Sequence, residues 1–137
     1  MMRFISRPIH AVLDYLSGIA MLASPWLLGF AHIATARNLF LISGIVVIGM
    51  SLLTNYEGGA LKKIAMSTHL WGDLFVGIFL TASPWLFFFA QEVYLPHLAF
   101  GIFSIVTSLF SVNISQVKRH IPINFVYRNQ KKNKLRR

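Results

Sequence analysis

Three observations predict an all-α fold, a four-helix transmembrane bundle built from two tandem parallel helical hairpins. They are four long apolar stretches, a motif that recurs at a fixed distance, and positive charge confined to one side. The stretches cover about 9–30, 38–54, 69–90 and 95–113. Each approaches or reaches the roughly 17 to 25 helical residues that cross a hydrocarbon core of about 30 Å. Of the 137 residues, 55% are apolar and 12% charged, whereas soluble domains carry about 25% charged residues.

The first span follows Arg3 and Arg7 and has the outline of a cleavable signal peptide. Asp14 interrupts its middle, and the same segment returns inside the chain, so cleavage is not expected. The second span is the shortest. Turn signals in Asn55-Tyr56-Glu57-Gly58-Gly59 separate it from the third, and the fourth leads into a tail. The chain therefore reads as a single membrane domain over 1–137, with repeat 1 at about 9–54, repeat 2 at about 69–113 and a basic tail at 114–137.

The duplication is direct. His10 to Ala31 recurs as His69 to Ala90, 59 positions on, with the spacing His-x3-Asp-x3-Gly-x4-Ala-Ser-Pro-Trp-Leu in both copies and eleven of 22 positions identical. The second arms match more loosely at an offset of 57: Gly44 with Gly101, and Ser51-Leu52-Leu53-Thr54 with Ser108-Leu109-Phe110-Ser111. Each copy holds two spans, so both enter the membrane in the same direction, related by an axis near the membrane normal.

Charge sets the orientation. Four spans put Arg3, Arg7, Lys62, Lys63 and all the tail cations on one side and Arg37 alone on the other, which is 12 of the 13 Lys and Arg residues against one. The positive-inside rule makes the N- and C-termini cytoplasmic. Lys131, Lys132, Lys134, Arg136 and Arg137 close the tail, and each basic residue near an anionic lipid surface is worth about 1 kcal/mol. Membrane lipids, with anionic headgroups at the cytoplasmic face, are the expected partners. Nucleic acid is not, since no aromatic platform or reading module accompanies the basic run.

Polar residues of the first arms form a stripe. At about 100° per residue, His10, Asp14, Gly18, Ser24 and Pro25 share one helix face, as do His69, Asp73, Gly77, Ser83 and Pro84. A carboxylate inside a span costs roughly 2.5 to 3.5 kcal/mol on insertion scales, so Asp14 and Asp73 should face protein, each with the histidine one turn earlier as its nearest partner. His10, Asp14, His69 and Asp73 are the candidate intramembrane polar site, and Gly18 and Gly77 are positions for close helix packing. Two His and two Asp suit a divalent metal in donor type, and two histidines could hold a haem, but no cofactor is predicted from spacing alone. With no cysteine, thiolate metal sites, covalent haem attachment and disulfides are excluded.

Ser24-Pro25-Trp26 and Ser83-Pro84-Trp85 lie near the outer ends of the first arms. Each proline removes the hydrogen bond to the carbonyl four residues earlier, Met21 or Leu80, and the serine can serve the freed oxygen. Trp26 and Trp85 fall on another face and fit the bilayer interface. A quinone or lipid pocket lined by Trp85, Phe87, Phe88 and Phe89 is the functional alternative to a bend and an anchor.

At these residues the chain resembles the SPW repeat family, small bacterial and archaeal membrane proteins with a Ser-Pro-Trp motif in the first helix of each transmembrane pair. The resemblance covers both hairpins, about 9–113, and leaves the tail outside. It implies a multi-pass protein of the bacterial cytoplasmic (inner) membrane and brings no established activity. No nucleophile–base pair, phosphate loop or HExxH motif is present, which disfavours an enzyme. The leading expectation is a structural or lipid- and partner-interacting membrane module. Two alternatives stay open: a proton- or ion-coupled transport component using the paired His-x3-Asp motifs, which would need a homo-oligomer to form a conduit, and a haem- or quinone-associated redox protein.

Overall fold

The computed structural model describes residues 3–113. Those residues form four helices and no strand: α1 (Arg7–Leu27), α2 (Ala34–Leu53), α3 (Met66–Leu86) and α4 (Leu95–Phe110). Helix α2 is the one that is both long and apolar enough to cross a membrane on length and composition alone. Helices α1 and α3 have the length, with 21 residues each, but carry His, Asp and Ser-Pro; α4 is apolar with 16 residues.

The apolar stretches and the helices do not share their ends. Helix α2 starts four residues before position 38, because Arg37 ties its first turn to the preceding loop: its Nη1 donates to the Ala31 carbonyl (3.1 Å) and its Nε to Asn38 Oδ1 (3.2 Å). Helix α3 stops at Leu86 although apolar residues continue to 90. Phe88 there is left-handed, at φ 59°, and such a residue closes a helix instead of extending it.

Each hairpin is closely packed, α1 on α2 and α3 on α4. The hairpins meet more lightly through α2–α3 and α1–α4, so the helices run round the bundle in chain order with α1 and α3 diagonal. Small residues permit the tight hairpin contacts. A methyl added to Gly44 would sit 2.9 Å from the Gly18 carbonyl oxygen, and one on Gly101 would sit 2.7 Å from that of Gly77. Gly18 and Gly77 thus serve the inside of each hairpin and not the seam between repeats.

Backbone pairing crosses between the copies. Ile5, before α1, pairs with the end of α4: its N–H donates to the Phe110 carbonyl (3.0 Å) and its own carbonyl accepts from Val112 (2.9 Å). Ile64, before α3, does the same with the end of α2, donating to Leu53 (3.0 Å) and accepting from Asn55 (2.8 Å). These are equivalent positions under the offsets of 59 and 57. The segment before the first helix of each copy thus straps the end of the other copy at matching positions.

Polarity is distributed inside-out. Buried side chains include His10, Asp14, Ser51, Thr54, His69, Asp73, Ser108 and Ser111. Ile9, Leu16 and Ile19 of α1, Ile42 and Ile45 of α2, Trp71, Phe75 and Ile78 of α3, and Leu95, Ile102 and Val106 of α4 are exposed. All four helices carry apolar residues outward. Buried apolar residues form two smaller clusters, Met21, Phe30, Phe40, Leu80 and Phe89 with Ala36 toward one end, and Ala11, Tyr56, Met66 and Leu70 toward the other.

Candidate functional site

His10 is the fourth residue of α1 and His69 the fourth of α3, and each Asp follows one turn later on the same face. Because α1 and α3 face each other diagonally, both stripes meet in the bundle centre, within the first two turns of the helices. His10, Asp14, His69 and Asp73 come together, with exposures of 0, 5, 0 and 2%. The imidazole rings meet edge to face, their centroids 5.1 Å apart.

The histidine one turn earlier is only part of each carboxylate's environment. His10 Nε2 lies 3.3 Å from Asp14 Oδ2 but 3.1 Å from Asp73 Oδ2 in the other repeat. His69 Nε2 lies 3.0 Å from Asp73 Oδ2 and 2.9 Å from Asp14 Oδ2. The two Nε2 atoms are themselves 3.1 Å apart. Each carboxylate thus contacts both rings.

Hydroxyls fix the rings from behind. Ser111 Oγ donates to the Thr107 carbonyl (2.6 Å), which uses its one proton, so His10 Nδ1–H donates to Ser111 Oγ at 2.7 Å. Thr54 Oγ1 likewise donates to the Met50 carbonyl (2.6 Å) and accepts from His69 Nδ1–H at 2.9 Å. Ser111 and Thr54 are equivalent in the two repeats, and each holds the histidine of the other copy. Both rings are oriented with Nδ1 outward and Nε2 inward.

The carboxylates are held less evenly. Asp14 Oδ2 accepts from Ser51 Oγ (2.7 Å) and from Tyr56 Oη (3.4 Å). Ser108 occupies the position matching Ser51, yet its hydroxyl donates to the Leu70 carbonyl at 2.6 Å. Burial, with the nearby Asp14 charge adding to it, pushes the Tyr56 phenol above its ordinary range and keeps it a donor.

At the other end of the helices the Ser-Pro pairs differ between copies. Ser83 Oγ donates to the Leu80 carbonyl (2.8 Å), the oxygen left without an amide by Pro84. Ser24 Oγ instead donates to the Ala20 carbonyl (2.7 Å), so the oxygen freed by Pro25, that of Met21, is not the one it serves. Both prolines sit in the last turn, two residues before the helix ends. Trp26 and Trp85 are exposed, as their angle from the histidines requires.

The alternative of a pocket beneath the two bends finds no support in the placement of its four rings. Phe89 is buried beside Leu80, whereas Phe88 is 92% exposed and Phe87 and Trp85 also face outward, so the four rings line no common cavity. The inward nitrogens of His10 and His69 stand 3.1 Å apart. The void against the two carboxyl groups is about 10 Å³, the lower limit for a single water. Lys131, Lys132, Lys134, Arg136 and Arg137 lie outside the described residues.

Several groups escaped the sequence reading. Ser51, Thr54, Ser108 and Ser111 had a signal, a hydroxyl pair three residues apart returning at an offset of 57. Tyr56 had none, because it lies in the linker. His97, buried against the rings of Phe40 and Phe89 with Nε2 donating to the Ala36 carbonyl (3.3 Å), occupies the position matching Phe40 and so was invisible as a repeat feature.

No curated protein and no solved structure matches the chain. A family model, the SPW repeat domain, matches residues 8–111. That span contains both hairpins, both Ser-Pro-Trp motifs and all four members of the central tetrad, and the chain belongs to the SPW repeat family.

Proposed function

We propose that the protein is a small integral membrane protein of the bacterial cytoplasmic membrane, a four-span structural module that interacts with lipids or a partner. The observation that carries this reading is the inverted polarity: apolar residues point outward from all four helices, while the buried centre is His, Asp, Ser and Thr. In water such a surface would drive aggregation; against acyl chains it costs nothing, and the backbone of each helix is satisfied internally. Arg3, Arg7, Lys62 and Lys63 at one end and Arg37 at the other support cytoplasmic termini. The tetrad then acts as an internal clamp. It joins the two hairpins near the cytoplasmic end through contacts that lipid cannot replace.

The chain has no cysteine, which makes topology directly measurable. His32→Cys in the outer loop should react with a membrane-impermeant maleimide in intact cells, and Lys62→Cys in the linker only after permeabilisation. Recovery of the chain in the soluble fraction without detergent, or equal labelling of the two positions, would overturn the proposal.

A further inference from the structure

We propose that His10 Nε2, Asp14 Oδ2, His69 Nε2 and Asp73 Oδ2 form a binding site for one divalent transition metal ion of the zinc class. The inference goes beyond the membrane reading and does not rest on it. It stands on the orientation of the rings, the burial of the two carboxyl groups and the geometry of the four atoms.

Ser111 and Thr54 take the Nδ1–H of each ring, so Nε2 of both points inward and a neutral imidazole at either position directs its lone pair there. Every neighbour that Nε2 meets there is another electron-pair donor: the opposite Nε2 at 3.1 Å and carboxylate oxygens at 2.9 to 3.3 Å. The two carboxyl groups lie in the same buried volume and, when ionised, bring a formal charge of −2 into it. Two protons, carried by the rings or by the carboxyl groups, would balance that charge, through hydrogen bonds within the tetrad. One divalent ion balances it and gives all four lone pairs a common acceptor.

The geometry fits such an ion. A tetrahedral zinc ion with bonds of about 2.0–2.1 Å has ligand-to-ligand edges of about 3.3–3.4 Å. The nitrogen–nitrogen edge is 3.1 Å and the four nitrogen–oxygen edges lie between 2.9 and 3.3 Å. All four residues can offer ligand atoms within 4.8 Å of one another. The nitrogen edges would open by a few tenths of an ångström on binding, and the oxygen–oxygen separation, within 4.8 Å, would adjust to the same spacing. A ligating histidine ordinarily donates its other ring N–H to an orienting group, as both rings do here. Two imidazoles in a four-donor set favour zinc, iron or cobalt over magnesium and calcium, which take six or more oxygens.

The test uses the full chain in detergent micelles, treated with a chelator and then titrated with Co²⁺ and Zn²⁺. Wild type should bind one Co²⁺ per chain with the strong visible absorption of four-coordinate cobalt, lose that signal to equimolar Zn²⁺, and unfold at a higher temperature with Zn²⁺ than without. Asp14→Asn/Asp73→Asn should abolish the cobalt spectrum. Ser111→Ala keeps all four donors and should weaken binding by about 10- to 100-fold, which covers the case in which the double variant fails to fold. Wild type that binds neither ion, or a folded double variant with an unchanged cobalt spectrum, would overturn the site; the first result would leave a protonated, metal-free tetrad.

Discussion

The two repeats carry the same motif and treat it differently. In the first, Asp14 is held by Ser51 and Tyr56 as well as by both imidazoles; in the second, Asp73 receives the imidazoles alone, because Ser108 turns to the Leu70 carbonyl. In the first, the left-handed residue after the helix is Gly29, at φ 78°; the matching position in the second is Phe88, at φ 59°. In the first, Phe40 fills an aromatic cluster whose matching position in the second is His97. The His and Asp of the tetrad are the same in both copies, and the four side chains meet one another in the bundle centre. Away from the tetrad the Ser-Pro-Trp motif is kept, but the differing positions answer to the neighbours of each copy.

The sharpest way to break this comparison is to truncate the two carboxylates separately. Removing one partner from a buried ionic cluster costs about 3–5 kcal/mol. Asp14→Ala also strands the Ser51 and Tyr56 hydroxyls, each buried donor adding about 1–3 kcal/mol, so it should be the more damaging substitution in denaturant unfolding from detergent. Equal losses for Asp14→Ala and Asp73→Ala would mean that the hydroxyls do not distinguish the copies.

The serines test the same asymmetry more gently. Ser51→Ala removes a hydrogen bond to a charged group, worth about 1.5–3 kcal/mol, while Ser108→Ala removes one to a neutral carbonyl, worth about 0.5–1.5 kcal/mol. A larger effect at Ser108 would contradict the assigned partners. The smallest expected effect is a gain. Phe88→Gly relieves a left-handed conformation that costs an L-residue roughly 1–2 kcal/mol, so unfolding should need more denaturant; Gly29→Phe should lose about as much. No change at Phe88 would remove the strain argument for the second repeat.

Much of the fold was legible in advance, for reasons that can be located. A carboxylate cannot rest in an apolar stretch without a partner, so the recurrence of Asp14 as Asp73 already pointed inward. Helical spacing placed His10 and His69 above them and sent Trp26 and Trp85 to another face. The hydroxyl positions were visible as a repeat, but their use was not: Ser51 and Ser108 are equivalent letters with different acceptors. Helix ends were read least well, because apolarity continues past Leu86 whereas the backbone turns at Phe88.

Sequence by itself determined the four apolar helices, the doubling and the polar face of each first arm, because these follow from local composition and a helical period. Tertiary structure alone decided that the faces meet diagonally, that Thr54 and Ser111 each orient the other repeat's histidine, and that the inward nitrogens stand 3.1 Å apart. Those facts depend on how two helices far apart in the chain are set against one another. Crossing contacts of that kind leave no period in either helix.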